Sequence, residues 1–300
     1  MHRELYQAWG QLQEHQWEFH VAWLALAGGL YAVGMVPAGV FWYLLLRGLG
    51  QDARLGPSLR AYCIGHLGKY VPGKALVVVM RAGMVCGERV SAAVAAVAVV
   101  VETLTMMAAG SFLSGAILAI WFRHRDLPWY IYGGAIGMVV VSGLPTLPPV
   151  FRLVMRLTGV GKSDPETAQK LQSLSYSTLL TGWILMPLMW VCWALSYWAT
   201  LRGMGATGMD PLAELPFFTA TVALAVVAGF AVLITPGGLG PRELVLVMLV
   251  KPHLENFVPN AALMAAASVV VLRLVWLVAE LVVSGILYPM SRARTDRGAP

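Results

Sequence analysis

Ile234-Thr235-Pro236-Gly237-Gly238-Leu239-Gly240-Pro241-Arg242-Glu243 interrupts the apolar stretch 215–250, which would otherwise read as one long membrane helix. Lipid offers no hydrogen bonds, so broken backbone at membrane depth is tolerated only where protein buries it or where it lines a wet cavity. Glycine removes side chains where backbone must turn or approach a ligand, and Pro241 is placed to open the helix that follows. The free amides at that helix start form an anion site, which Arg242 would reinforce. The bland alternative is that Arg242 and Glu243 neutralise one another at a tight turn. Ions buried in apolar runs are costly and mostly functional, which favours the anion site.

Upstream, a second interruption falls in the apolar stretch 61–84. It reads Gly65-His66-Leu67-Gly68-Lys69-Tyr70-Val71-Pro72-Gly73-Lys74 and is followed by Arg81. Five further runs, 21–46, 90–122, 129–150, 176–201 and 261–290, meet the roughly 20 apolar residues that a spanning helix needs. Composition agrees, with 58% hydrophobic and only 12% charged residues in 300 and a mean hydropathy of +0.70. Soluble domains carry about a quarter charged residues. The expected fold is therefore an all-α polytopic membrane protein. Residues 21–290 form a single transmembrane domain, 1–20 an amphipathic surface helix carrying Leu5, Trp9, Leu12 and Phe19, and 291–300 a basic cytoplasmic tail. Glu4, Glu14 and Glu18 against Arg3 do not fit a cleavable signal peptide.

Lysines and arginines of short loops set orientation. With the amino terminus outside, Arg47, Arg54, Arg60, Arg81, Arg89, Arg152, Arg156, Lys162, Lys170, Arg292, Arg294 and Arg297 fall on the cytoplasmic side. Only Arg3, Arg123, Arg125, Arg202 and Lys251 fall outside. In this orientation the stretch 61–84 starts and ends inside, whereas 215–250 starts and ends outside. The expected architecture is about five full transmembrane helices plus two opposed re-entrant hairpins, related as an inverted repeat, with Pro72-Gly73 and Pro236-Gly237 in corresponding places. Paired breaks of this kind point to a transporter binding site near the bilayer midplane. The net charge of +6 resides largely in these loops and implies no nucleic-acid partner.

Lys69 and Lys74 beside the first break could hold a lipid phosphate or snorkel to the surface. Arg81 could do the same or only mark the cytoplasmic end of the hairpin. Within the long runs lie Glu102, Arg273 and Glu280. Arg273 and Glu280 are two helical turns apart, too far for direct pairing, so each needs a partner on another helix or a wet cavity. Phosphate is a natural counter-ion for Arg273. A lysine or arginine of the breaks suits Glu102, the expected partner being Lys69 or Lys74 of the basic first break, and Glu102 could equally serve as a coupling site. Gly133 and Gly137 make a GxxxG pattern that suggests close helix packing. Cys63, Cys86 and Cys192 are scattered without metal or disulfide spacing. No cofactor or metal is expected, and no catalytic motif of the nucleophile-elbow, zinc or P-loop type occurs.

GHLGKYVPGK with the later VVVETL, and LITPGGLGPREL followed by AALMAAASVVVLRLVWLVAE, resemble the flippase-like membrane protein family. Its best-known relative is the membrane domain of lysylphosphatidylglycerol synthases, the multiple peptide resistance factors. The resemblance covers about Leu5 to Leu287. It implies lipid translocation across a bacterial inner membrane, with broken helices meeting near the membrane centre. It also implies binding roles for Pro72, Gly73, Lys74 and Arg81, for Pro236, Gly237, Gly238, Gly240, Arg242 and Glu243, and for Arg273. Many members have Gly-Glu soon after the first Pro-Gly, where this chain has apolar Ala75 to Met80, so the substrate is not inherited. Many also carry a further spanning helix ahead of the surface helix, whereas this chain begins at the surface helix. The soluble aminoacyl-transfer domain of the synthases is absent, and no enzyme activity is carried over.

The expected partner is a membrane lipid with an anionic headgroup: a phospholipid, an aminoacylated phospholipid or a polyprenyl phosphate. The alternative is a scaffold or accessory subunit for a glycosyltransferase or lipid-modifying enzyme. A second copy of the chain or such an enzyme would be the protein partner. Buried arginines discriminate, because a scaffold has no need of them.

Overall fold

We describe residues 19–71, 75–87, 89–121, 129–158, 169, 174–232 and 238–289 of a computed structural model of the chain. The expected surface helix 1–20 lies almost wholly outside them, as do the tail and Pro72, Gly73, Lys74, Pro236 and Gly237. Among the described residues the protein is helical and has no strand.

Helices α1 (Val21–Gly48) and α7 (Tyr176–Gly203), 28 residues each, form the most extensive pairing of the fold. In α1, Ala27, Tyr31, Met35, Ala38, Trp42 and Leu45 recur every three or four residues and are buried, which makes one face of a helix. Small residues let the backbones approach. A Cβ on Gly34 would lie 2.7 Å from Trp193 Cδ1, and one on Gly182 would lie 2.4 Å from Phe41 Cζ. Ser196 Oγ adds an interhelical bond to the Ala27 carbonyl at 2.7 Å. The pair is antiparallel: Gly48 sits against Thr178 at one end, and the His20 amide donates to the Gly203 carbonyl at the other.

The interrupted segments hang from opposite ends of this pair. After Gly48 the chain forms α2 (Leu55–Gly65), a 3-10 turn (His66–Tyr70) and α3 (Ala75–Val85). Eleven residues rise about 16 Å, half of the roughly 30 Å hydrocarbon core, so neither arm can cross. The arms fold onto each other so tightly that a Cβ on Gly68 would meet Val77 N at 2.7 Å. The segment closes where it opened, since Arg89 bonds to Asp52 at 3.2 Å and the Ser91 amide donates to Gln51 Oε1 at 2.7 Å. After Gly203 comes α8 (Pro211–Ala231), whose start Asp210 caps by accepting from the Leu212 and Ala213 amides, and then α9 (Pro241–Leu254). Glu214 near the start of α8 and His253 near the end of α9 pair at 2.6 Å, so this segment also closes on itself. Between the two units run α4 (Ala92–Trp121), α5 (Trp129–Gly143) and α6 (Pro148–Thr158), and α10 (Ala261–Leu287) completes the described fold.

Among the described residues, five helices are long and apolar enough to cross a membrane: α1, α4, α7, α8 and α10. The number matches the sequence expectation, but the membership differs. The run 129–150 stops as α5 at Gly143 after 15 residues, because Pro145, Pro148 and Pro149 cannot continue its hydrogen bonds. Leu147, ahead of Pro148, is accordingly extended, with ψ 133°. In its place α8, expected as one arm of the second re-entrant hairpin, reaches 21 residues and a spanning length. Close packing through Gly133 and Gly137 is also corrected. Among the described residues a Cβ on Gly137 would meet nothing within 4 Å, and one on Gly133 would meet only Trp129 of its own helix.

Candidate functional site

Described residues flanking both breaks converge on one cavity of about 320 Å³, walled mostly by apolar side chains of α3, α4 and α8. Tyr62 of α2, His66 and Lys69 of the 3-10 turn, and Arg81 of α3 reach it from the first segment. Gly238 and Arg242 reach it from the second. Glu102 of α4, Trp193 of α7 and Trp276 of α10 complete its polar and aromatic lining.

The second segment can approach because two backbones touch. Gly238 has φ +74°, a left-handed conformation that favours glycine, and a Cβ there would fall 2.9 Å from Gly229 Cα of α8. A Cβ on Gly229 would in turn meet Arg242 Cβ at 3.0 Å. We predict that Gly238→Ala lowers stability in detergent by about 1–3 kcal/mol, the usual cost of a residue held in a disfavoured conformation. Gly137→Ala, with open space and an interior helix position, should be neutral or raise stability by up to about 1 kcal/mol. Equal thermal midpoints for the two variants would show that the close approach does not matter.

Buried charges around the cavity fall into defined pairs. Arg81 and Glu102, 2% and 1% exposed, bond at 2.9 Å through Nη1 and Oε2. Tyr62 Oη donates to the other Glu102 oxygen at 3.1 Å, and the Arg81 guanidinium lies 3.7 Å over the Tyr62 ring. Arg81 Nη2 sits 3.1 Å from His66 Nδ1. A guanidinium can only donate, so this nitrogen carries the lone pair and the ring is neutral. Lys69 pairs with Glu280 of α10, which also accepts from Tyr31 Oη, and Lys69 Nζ donates to Tyr31 Oη at 3.0 Å. Glu243, at the third position of α9, accepts from the Gly240 amide at 2.6 Å and pairs with Arg273.

Arg242 differs from these. It is 8% exposed, its guanidinium lies 4.3 Å over the Trp276 ring, and its Nη2 has no hydrogen-bond partner among the described residues. Trp276 is itself held by Tyr31 and Trp193, with ring centroids 4.3 and 5.0 Å away.

Several sequence expectations are thereby revised. Glu102 pairs with Arg81 rather than with Lys69, because Arg81 on α3 faces α4 while Lys69 on the 3-10 turn faces α1 and α10. For the same reason Lys69 is tied to Glu280 instead of snorkelling. Arg81 is buried rather than marking a hairpin end. Arg242 does not neutralise Glu243; Arg273 does, and Arg273 lines no part of the cavity. Glu280 stands behind Lys69, outside the lining. Tyr31, Tyr62, His66, Trp193 and Trp276 were not singled out in the sequence. His66 lies within the first quoted break and Trp276 one turn beyond Arg273, and those were the available signals.

The family model of the lysylphosphatidylglycerol synthase TM region matches residues 5–282 of the chain. No curated protein and no solved structure gives a match.

Proposed function

The chain belongs to the lysylphosphatidylglycerol synthase TM region family of multi-pass membrane proteins, and from that premise we propose that it moves an anionic lipid between leaflets of a bacterial inner membrane. The headgroup passes through the central cavity, and Arg242 holds its phosphate. One observation carries this reading: a buried guanidinium with an unsatisfied N–H stands in a cavity where two interrupted segments meet. A buried donor without a partner costs about 1–3 kcal/mol, a cost that an arriving phosphate removes. An accessory scaffold gains nothing from that cost, which is why we place it second. The lipid is carried and not chemically altered, with Lys69 and Arg81 shaping the cavity through their carboxylate partners.

The deciding experiment is reconstitution of the purified chain in liposomes with labelled phospholipids, aminoacylated phospholipids and polyprenyl phosphates. Transport of an anionic lipid that is lost in Arg242→Ala is the expected result. Movement of none of them would reject the carrier and leave the scaffold.

The segment-closing contacts support two opposed hairpins, and the distribution of loop lysines and arginines supports an amino terminus outside. Cysteines placed near Gly65 should then label only from the cytoplasmic side, and those near Glu214 and His253 only from outside. Labelling of Glu214 and His253 from opposite sides would refute the second hairpin.

A further inference from the structure

A count of charge in the cavity wall narrows the class of lipid. The described residues that line it carry three cations, Lys69, Arg81 and Arg242, and one anion, Glu102. Arg81 is matched by Glu102, and Lys69 by Glu280 behind it. His66 is neutral, because its Nδ1 accepts from Arg81. The neighbouring Arg273 and Glu243 cancel one another. A single positive charge, that of Arg242, is left without an acidic partner among the described residues; its Nη2 is a buried donor without a hydrogen-bond partner among them, as is Arg81 Nε on a cation that Glu102 already matches.

Glu102, the only carboxylate among the described lining residues, has both oxygens engaged, one by Tyr62 and the other by Arg81 and Thr103. A ligand ammonium group therefore finds no free carboxylate in the wall. The cavity volume of about 320 Å³ is at the small end for ligand sites, which run from about 300 to 1,000 Å³. It is sized for a headgroup and not for acyl chains.

We propose that the cavity selects lipid headgroups bearing one negative charge, that is, phosphodiester monoanions such as the phosphatidylglycerol headgroup. Phosphate monoesters, zwitterions and aminoacylated cations are passed over. The proposal rests on the transport reading and sharpens it. A phosphodiester and Arg242 sum to zero, so the loaded site buries no unpaired charge among the described residues. A dianionic monoester leaves one negative charge unpaired, a zwitterion brings an ammonium that is not matched, and a lysyl ester adds positive charge to a site that already has a surplus. Unpaired buried charge is the expensive case in each.

The test uses the full chain in liposomes at pH 8, where a phosphate monoester, with a second pKa of about 6, is a dianion. Four acyl-labelled lipids are compared: phosphatidylglycerol, phosphatidic acid, phosphatidylethanolamine and lysylphosphatidylglycerol. Phosphatidylglycerol should cross at least about tenfold faster than each of the others, a difference of about 1.4 kcal/mol. Faster or equal transport of phosphatidic acid or lysylphosphatidylglycerol would overturn the charge selection and leave the carrier standing. No transport of any lipid would overturn both. In Glu102→Gln, which frees the Arg81 charge, the ratio of phosphatidic acid to phosphatidylglycerol transport should rise about tenfold. Each ratio is internal to one sample, so protein yield cancels. An unchanged ratio in folded Glu102→Gln would also overturn the proposal, and the wild-type comparison decides it if that variant does not fold.

Discussion

Arg242→Lys should fold as the parent does and lose lipid transport by about tenfold to a hundredfold, the equivalent of the 1.5–3 kcal/mol of a charged hydrogen bond. Lysine keeps the charge but not the planar fork that grips two phosphate oxygens at once, nor the flat face that lies on Trp276. Arg242→Ala should lose more, since the charge goes too. The sharper variant exchanges Arg242 and Glu243. If the two residues only neutralised one another, the exchange would preserve function. In the structure Glu243 instead serves Arg273 and the Gly240 amide. The exchange would aim a carboxylate at the cavity and set two arginines, the new one and Arg273, against each other. Transport should vanish, and full transport by the exchanged protein would refute the phosphate role of Arg242.

The breaks were legible because their signals are local. Pro and Gly inside an apolar run, with a charged residue beside them, say the same thing wherever the helix ends up, and Pro241 does open α9 with Glu243 at its third position. Spans were legible by length, except where a cluster of prolines cut the run at 129–150 and where 215–250 held one arm long enough to cross. Charge pairing was not legible. Glu102 is closer in sequence to Arg81 than to Lys69, but nearness in sequence does not decide the matter. What decides it is that α3 lies on its neighbour α4, while the 3-10 turn lies against α10, which is far away in the chain. Lys69 and Glu280 are 211 residues apart. The aromatic support of Arg242 was hidden for the same reason. Trp276 and Tyr31 are two aromatic residues among many until α1 and α10 bring their rings to 4.3 Å.

That revised pairing makes the second large effect testable. Glu102→Gln should destabilise the protein by about 3–5 kcal/mol, the typical result of removing one member of a buried ion pair and leaving the other charge uncompensated. Its measure is the midpoint of thermal unfolding in detergent. Arg81 would then be a cation 2% exposed, with only neutral groups, the new amide, His66 Nδ1 and the Tyr62 ring, against it. Removing both charges in Glu102→Gln with Arg81→Met should recover much of the loss, because the costly species is the unpaired ion and not the absent pair. Glu102→Gln with Lys69→Met should recover nothing. It should fall further, since Glu280 loses its cation while Arg81 stays unpaired. Recovery with Lys69→Met and not with Arg81→Met would restore the Lys69 partnership and refute the pairing described here. The contrast also bears on transport. Both ion pairs belong to the first interrupted segment, one facing α4 and the other α10, and together they hold it against two different helices. A pair whose loss only softened a scaffold would lower stability and leave the relative rates of different lipids alone. A pair that sets the charge of the cavity must change both.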